Sequence, residues 1–258
     1  MSMFSDAMSR LSAAQKSSKG AAAYSRFVNR PLGRPLAALA YARGLSPTQV
    51  TLVSAAATFS AIAIIALVRP TWWSSALVAV LLVLGYALDS ADGQLARLTG
   101  TGSLAGEWLD HFFDATKAAT LHAAVLICWF RFFELPLPWL VVPLSFGAVA
   151  SIFFFGLIAT DLLRRIHRAQ HPIADETAPA EAWRSSPLYS LVVLPTDYGF
   201  LCLTFVLLWV QPAFVAVYSL LAVANVLVLG LAAARWYSSI RRMEAASIAS
   251  PTPAELPR

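Results

Sequence analysis

The sequence predicts an all-α membrane protein with six transmembrane helices and an N-terminal amphipathic interfacial helix. Of its 258 residues, 58% are hydrophobic and only 13% are charged, whereas soluble domains are about 45–50% apolar. Uncharged apolar runs recur that are long enough to cross roughly 30 Å of bilayer hydrocarbon. The basic residues collect between those runs. With a net charge of +5, this clustering indicates a lipid surface as the partner and excludes nucleic acid.

Six segments satisfy the length and polarity of a membrane span. Their predicted limits are 48–68, 72–97, 103–131, 137–163, 189–210 and 213–238. The Gln211-Pro212 pair separates the last two. The chain therefore divides into a cytoplasmic N-terminal region (1–47), a six-helix membrane domain (48–240) and a disordered cytoplasmic tail (241–258).

The segment before the first span is amphipathic. Residues 21–43 mix four arginines with aromatic and aliphatic side chains, a pattern typical of a helix that lies in the membrane interface. We expect Pro31 and Pro35 to interrupt it, with Pro35 in the first turn of a second short helix. The first span then begins with Ser46 as the N-cap and Gln49 placed to complete a capping box.

The distribution of Lys and Arg predicts the orientation. Sixteen of these 19 residues fall on the side of the two termini, and only Arg69 and Arg131 fall at the opposite turns, while Lys117 lies inside a span. Because cytoplasmic loops carry the excess of positive charge, both termini should be cytoplasmic. We expect a multi-pass protein of the cell (cytoplasmic) membrane.

Four aspartates lie within the second and third spans. Asp89 and Asp92 share one helical face, and Asp110 and Asp114 share a face of the next helix, because residues three or four apart are neighbours on a helix. The turn at 98–102 is short, so the helices should be antiparallel and the four carboxylates should converge.

Converging carboxylates in a membrane require positive charge, since desolvation penalises an ionised group without a partner. Hard oxygen ligands suit Mg²⁺ or Mn²⁺, and a bridging carboxylate commonly holds two ions for phosphoryl chemistry. Gly93 and Ala96 are small enough to admit a bulky ligand, and Arg97 can pair with phosphate. We therefore predict a site with two divalent ions and a phosphorylated ligand.

The residues from Asp89 to Asp114 fit the pattern D-x2-D-G-x2-A-R-x8-G-x3-D-x3-D at every fixed position. The chain thereby resembles the CDP-alcohol phosphotransferase (CDP-alcohol phosphatidyltransferase) family of integral membrane enzymes. The resemblance implies transfer of a phosphoalcohol from a CDP-alcohol donor to an acceptor hydroxyl, with release of CMP, in phospholipid biosynthesis. It also implies a homodimer.

The resemblance further implies residue roles. Asp114 shares the metal site or acts as the general base. The residues implied as metal ligands are Asp89, Asp92, Asp110 and Asp114. The residues implied in nucleotide binding are Thr51, Asp89, Gly93, Ala96, Arg97 and Gly106.

Glu107 and His111 complete a Gly-Glu-x-x-Asp-His-x-x-Asp pattern that resembles the choline and ethanolamine phosphotransferase branch. His111 could serve as the base or orient one. Two substrate arrangements remain open: a lipid-bearing donor with a polar alcohol, or a polar head group on the donor with a lipid alcohol as acceptor. The residues that we expect around the acceptor are Glu107, Lys117, Arg164 and Asp197. We interpret His122 as a hydrogen-bonded packing residue.

A transporter is the alternative from another functional class, because intramembrane carboxylates can bind cations or relay protons. However, the aspartates cluster around a single turn, and the sequence lacks paired interrupted helices in two matching halves. A scaffold protein would leave the aspartates unexplained.

Overall fold

The computed structural model describes residues 3–13, 22–170 and 194–249, and within these ranges every regular element is helical. The α-helices are α1 (Met3–Ala13), α2 (Arg30–Ala42), α3 (Pro47–Leu67), α4 (Trp72–Thr99), α5 (Leu104–Phe132), α6 (Val141–Gln170), α7 (Tyr198–Thr204) and α8 (Gln211–Ala249). A π-helical turn (Ser25–Asn29) precedes α2, and 3₁₀ turns occupy Leu137–Leu140, Leu194–Thr196 and Phe205–Leu207. The predicted all-α class is confirmed for these residues.

Four helical segments are long and apolar enough to cross a membrane: Pro47–Leu67, Trp72–Thr99, Leu137–Gln170 and Gln211–Ala245. The 29-residue helix α5 has the length for a span, but its first half is charged. The predicted fifth span falls partly outside the described residues, and its described part, Tyr198–Leu207, is a short apolar helix. The count of six spans therefore stays a prediction.

Side-chain caps fix the starts of the membrane helices. Ser46 and Gln49 form the predicted capping box, with Ser46 Oγ accepting from the Gln49 backbone N–H at 3.2 Å. Ser103 caps α5 in a similar way. Between α4 and α5, Gly100 adopts a φ of +68°, a left-handed conformation that glycine reaches without steric cost. This tight turn reverses the chain direction, but α4 and α5 are not the packed neighbours that the sequence predicts: α4 packs mainly against α3 and α2, and α5 packs against α3 and α6.

The N-terminal helices pack onto the end of α4. Ala37 and Ala38 of α2 are fully buried in a cluster with Ala91 and Leu95 of α4. A side chain on Gly33 would collide with α4, since its Cβ would lie 2.7 Å from Gln94 Nε2. The small residues of α2 therefore face α4, while other apolar side chains of the segment, such as Phe27, remain exposed. Its place at a membrane interface stays a prediction.

Three predicted boundaries were wrong. Pro35 lies inside α2 rather than in a first turn, because Pro31 already begins that helix. Helix α6 continues to Gln170, beyond the predicted limit of 163. Helix α8 continues through Ala249, since 235–249 contains many helix-forming residues and no glycine or proline. The predicted tail therefore starts inside a helix, and 250–258 lies outside the described residues.

The main core brings α3, α4, α5 and α8 together through aromatic and aliphatic side chains. Trp129 of α5 packs edge-on against Tyr218 and Phe214 of α8. Helices α3 and α4 approach closely at Gly85, whose carbonyl accepts a 2.8 Å hydrogen bond from Ser54 Oγ. Close contact between small residues is a common way for membrane helices to associate. This packing fixes α4 beside α3 one turn away from Asp89.

Candidate functional site

A polar cavity of about 190 Å³ opens at the end of α4. We call it the α4 cavity. Its lining residues are Arg30, Asp89, Ser90, Asp92, Gly93, Gln94, Arg97 and Asp110. Three of the four predicted aspartates therefore share one small space with two arginines, a combination that can hold cations and phosphate oxygens together.

Thr51 of α3 holds Asp92 in place. Its hydroxyl donates a 2.6 Å hydrogen bond to Asp92 Oδ2, and only 6% of Asp92 and 7% of Thr51 are exposed. The sequence-based expectation put Thr51 in nucleotide binding. The structure shows its contact with an aspartate of the α4 cavity, and its part in nucleotide binding stays a prediction.

Lys117 joins the two aspartate-bearing helices. Its Nζ lies 2.6 Å from Asp89 Oδ1 and 3.0 Å from Asp114 Oδ1. The lysine side chain is only 8% exposed, so water screens these ion pairs weakly. Asp89 and Asp114 are thus both paired with the positive charge of Lys117.

A compact group on α5 could hold a metal ion. Ligand atoms of Asp110, His111 and Asp114 all lie within 4.8 Å of one another. Carboxylate oxygens suit Mg²⁺ or Mn²⁺, whereas an imidazole suits zinc, copper, iron or nickel ions better, and Asp89 and Asp92 line the neighbouring α4 cavity. The carboxylates of this group therefore fit a divalent cation of the kind that the sequence predicts.

A larger cavity of about 340 Å³ also has Asp89 in its lining and is bounded by α4, α5, α6, α7 with the turn before it, and one residue of α8. We call it the α6 cavity. Five of its lining residues belong to α6: Phe146, Ala150, Phe153, Phe154 and Leu157. Asp89 lines both cavities, and Asp114 and Lys117 line the α6 cavity. The two spaces therefore meet at the aspartate cluster.

Lys117 and Asp197, two of the four residues expected at an acceptor site, line the α6 cavity. Asp197 also has a structural role. Its Oδ1 accepts from the Gly199 backbone N–H at 3.0 Å, which caps α7, and its Oδ2 accepts from the Ser25 N–H at 2.8 Å. Asp197 therefore ties the N-terminal segment to α7.

The other two expected acceptor residues are not among the described residues that line the α6 cavity. Glu107 Oε1 binds Arg165 Nη1 at 2.6 Å and lies 3.8 Å from His111 Nε2. Arg164 Nη2 donates to Ser239 Oγ at 3.0 Å, which links α6 to α8. Glu107 is thus placed to orient His111, and Arg164 contacts a neighbouring helix.

Ala96 and Gly106 are likewise not among the described residues lining the α4 cavity. The Ala96 carbonyl accepts from the Thr101 N–H at 3.2 Å, at the end of α4. The Gly106 N–H donates to Ser103 Oγ at 3.1 Å in the N-cap of α5. Both residues shape the turn between the aspartate-bearing helices.

His122 is a packing residue, as the sequence predicts. Its Nδ1 shares a 2.6 Å hydrogen bond with the Tyr218 hydroxyl, and its ring stacks on Phe146 with centroids 4.1 Å apart. The hydrogen bond compensates the polar group for its burial.

Arg30 and Gln94 are cavity residues that the sequence analysis did not identify. Gln94 Nε2 donates to the Arg30 carbonyl at 3.1 Å and to Ser90 Oγ at 3.2 Å. The contact between Gln94 and Ser90 joins residues four apart on one helix and could have been found from sequence. The contact between Gln94 and Arg30 joins residues far apart in the chain, and it forms only because α2 approaches α4 closely at Gly33.

Apolar membrane-length helices and an acidic cavity define an integral membrane protein with a candidate metal site. The profile of the CDP-alcohol phosphatidyltransferase family matches residues 45–232. The chain belongs to this family, as the aspartate pattern predicted. No curated protein matches the sequence. Membership indicates a transferase and gives no support to the transporter alternative.

Proposed function

We propose that the protein is a metal-dependent CDP-alcohol phosphotransferase of phospholipid biosynthesis. It would transfer a phosphoalcohol from a CDP-alcohol donor to an acceptor hydroxyl and release CMP. The observation that carries the proposal is the α4 cavity, where Asp89, Asp92 and Asp110 face the same small space as Arg30 and Arg97. The carboxylates would bind the metal ions, and the arginines would bind the phosphate oxygens of the diphosphate.

The α4 cavity supports binding of the CDP end of the donor. Arg97 and Arg30 supply positive charge for phosphate oxygens. A Cβ at Gly93 would meet only Arg97 Nη1, at 3.5 Å, so the glycine leaves the helix surface accessible beside the aspartates. Gly93 would thus let a phosphate approach α4 closely.

The residues placed to hold Mg²⁺ or Mn²⁺ are Asp89, Asp92, Asp110 and Asp114, with His111 beside them. Two divalent ions bound there would offset the charge of the diphosphate and of the departing CMP. Thr51 fixes the orientation of Asp92. Lys117 restrains Asp89 and Asp114 from the neighbouring turn.

Asp114 is the proposed proton acceptor. It lines the α6 cavity, on the side of the aspartate cluster away from Arg97. A hydroxyl in the α6 cavity could reach the Asp114 carboxylate, which could take its proton. His111, held near Glu107 at 3.8 Å, is the second group able to serve as the base or to orient it.

We further propose a cytoplasmic active site and cytoplasmic termini. Sixteen Lys and Arg residues on the side of the termini, against two at the opposite turns, support this orientation. A homodimer is proposed from the family alone.

The test is CMP release by the purified full-length protein in detergent with Mg²⁺. CDP-diacylglycerol, CDP-choline and CDP-ethanolamine are each offered with polar and lipid alcohols. We expect CMP only with a matching acceptor, and none from the Asp92→Asn variant. The exposed Asp6 allows a matched control, because Asp6→Asn changes the same group at a residue that does not line the cavity. If the protein were folded and bound metal but released no CMP with any pair of donor and acceptor, the proposed function would be overturned.

A further inference from the structure

The α6 cavity has mainly apolar walls. Phe146, Ala150, Phe153, Phe154 and Leu157 line it from α6, and Ala118 and Leu121 line it from α5. Its polar end is formed by Asp89, Asp114 and Lys117. Apolar walls that lead to a carboxylate cluster suit a molecule with a long apolar part and one reactive polar end.

The positive charge of the cavity is already paired. Lys117 is the only lysine or arginine among the described residues that line it, and its Nζ contacts both Asp89 and Asp114. A phosphorylated acceptor would bring a further negative charge beside these carboxylates. Burying such a charge without a cation is unfavourable, so the lining disfavours a phosphorylated acceptor.

Three further polar residues of the lining, Asn225, Asp197 and His122, bind groups of the protein itself. Asn225 Nδ2 donates to the backbone carbonyls of Pro195 and Leu221, and both oxygens of Asp197 accept backbone N–H groups. His122 is bound to Tyr218. A polyhydroxylated acceptor would have to compete with these hydrogen bonds, whereas an apolar chain would leave them intact.

We propose that the α6 cavity binds the acceptor, that this acceptor is a lipid alcohol, and that the CDP-linked donor therefore carries the polar head group. The inference rests on the proposed function. The hydroxyl of the lipid lies at Asp114 and its chains lie between α5, α6 and α7.

In this arrangement the hydroxyl oxygen attacks the phosphorus that bears the head-group alcohol. A phosphorus–oxygen bond forms to the lipid, and the bond from that phosphorus to the bridging oxygen of the diphosphate breaks. CMP leaves with the bridging oxygen, and the hydroxyl proton moves to the Asp114 carboxylate. The products are the lipid phosphodiester and CMP, with one proton released.

The first arm of the test compares the two substrate arrangements with the purified full-length protein. We expect CMP from CDP-choline or CDP-ethanolamine with dioleoylglycerol, and none from CDP-diacylglycerol with polar alcohols. CMP from CDP-diacylglycerol alone would overturn this inference and leave the proposed function standing. CMP from neither arrangement would overturn both.

The second arm of the test narrows the α6 cavity by substituting a larger side chain in its lining. Ala150→Phe places a ring between the α6 and α5 walls, whereas Ala148→Phe makes the same change at an exposed position of the same helix. We expect Ala150→Phe to raise the KM for dioleoylglycerol about tenfold or more, with the KM for the CDP-linked donor unchanged. Ala148→Phe should leave both values unchanged.

A rise in the donor KM instead would show that the cavity holds the donor's chains, and unchanged values would show that it holds neither substrate. Either result overturns the inference. If Ala150→Phe does not fold, Ala118→Leu on α5 serves in its place, with the adjacent exposed Ala119→Leu as its control.

Discussion

Asp89 lines both the α4 cavity and the α6 cavity, yet the other lining residues of the two cavities differ in polarity. The α4 cavity is lined by aspartates, arginines and small polar residues. The α6 cavity is lined largely by phenylalanine, leucine and alanine. Under the proposed function, this difference would put the ionic part of the reaction in the α4 cavity and the apolar substrate in the α6 cavity.

The comparison also separates two kinds of sequence information. Most residues of the α4 cavity stand within one short stretch of α4, at fixed spacings. Those of the α6 cavity are spread over α4, α5, α6, α7 and α8, and its apolar walls consist of residue types that any membrane helix contains. A spacing pattern can therefore reveal the first cavity, while only the packed helices reveal the second.

Removing the metal should have the largest effect, because the carboxylates of the α4 cavity would then face the diphosphate without compensation. We expect turnover to disappear in excess EDTA and to return with Mg²⁺ or Mn²⁺. Added metal should also raise the thermal unfolding temperature, and Asp110→Asn should abolish this shift. Undiminished turnover in the chelator would contradict the metal requirement.

Asp114→Asn should lower kcat by roughly 10²-fold or more, the typical contribution of a general base. The amide cannot accept the acceptor's proton, although it keeps the shape of the side chain. The control is Asp161→Asn, since Asp161 also forms a salt bridge on a membrane-length helix, with Arg165 at 2.7 Å. Full activity of folded Asp114→Asn would remove this residue from any essential role.

Gly93→Leu should lower kcat/KM for the CDP-linked donor by about a hundredfold, because the new side chain fills the α4 cavity. The KM for the acceptor should change little, which is the opposite of the effect at Ala150. Leucine favours a helix more than glycine does, so a weakened helix would not explain the loss. Gly102→Leu is the control, since a side chain there meets nothing within 4 Å. Equal losses for both substrates would contradict the division between the cavities.

Thr51→Val should have a smaller effect, lowering kcat/KM by about tenfold, because Asp92 would lose a charge-assisted hydrogen bond. Thr51→Ser keeps the hydroxyl and should restore most of the activity. Steady-state kinetics with both substrates checks this, together with an unfolding curve of each variant. If Thr51→Val matched the wild type, the contact with Asp92 would have no part in organising the site.

The features that could be predicted from the sequence depend on residues that are close together in the chain. The capping box at Ser46 depends on residues three apart. The convergence of Asp89, Asp92 and Asp110 depends on helical spacing and one short turn. Neither requires knowledge of distant contacts, so the start of α3 and the acidic cavity were both predictable.

The remaining features depend on tertiary packing. Arg30 reaches the α4 cavity because Gly33 lets α2 approach α4 closely. The ion pair of Glu107 with Arg165 of α6, at 2.6 Å, was not predicted. Both contacts join residues on separate helices, and no periodicity within one helix encodes them. The predicted ends of α6 and α8 fell too early for another reason. Polar segments such as 241–249 can continue a helix beyond its apolar run.

The position of Arg30 has a consequence for where this catalytic unit begins. The family match starts at residue 45, whereas one wall of the α4 cavity comes from residue 30. A chain trimmed to the matched region would retain every aspartate of the shared pattern and still lose an arginine and the helix that carries it. The matched region and the full lining of the α4 cavity therefore have different boundaries. If this cavity binds the CDP end of the donor, as we propose, sequence before the matched region takes part in holding the nucleotide.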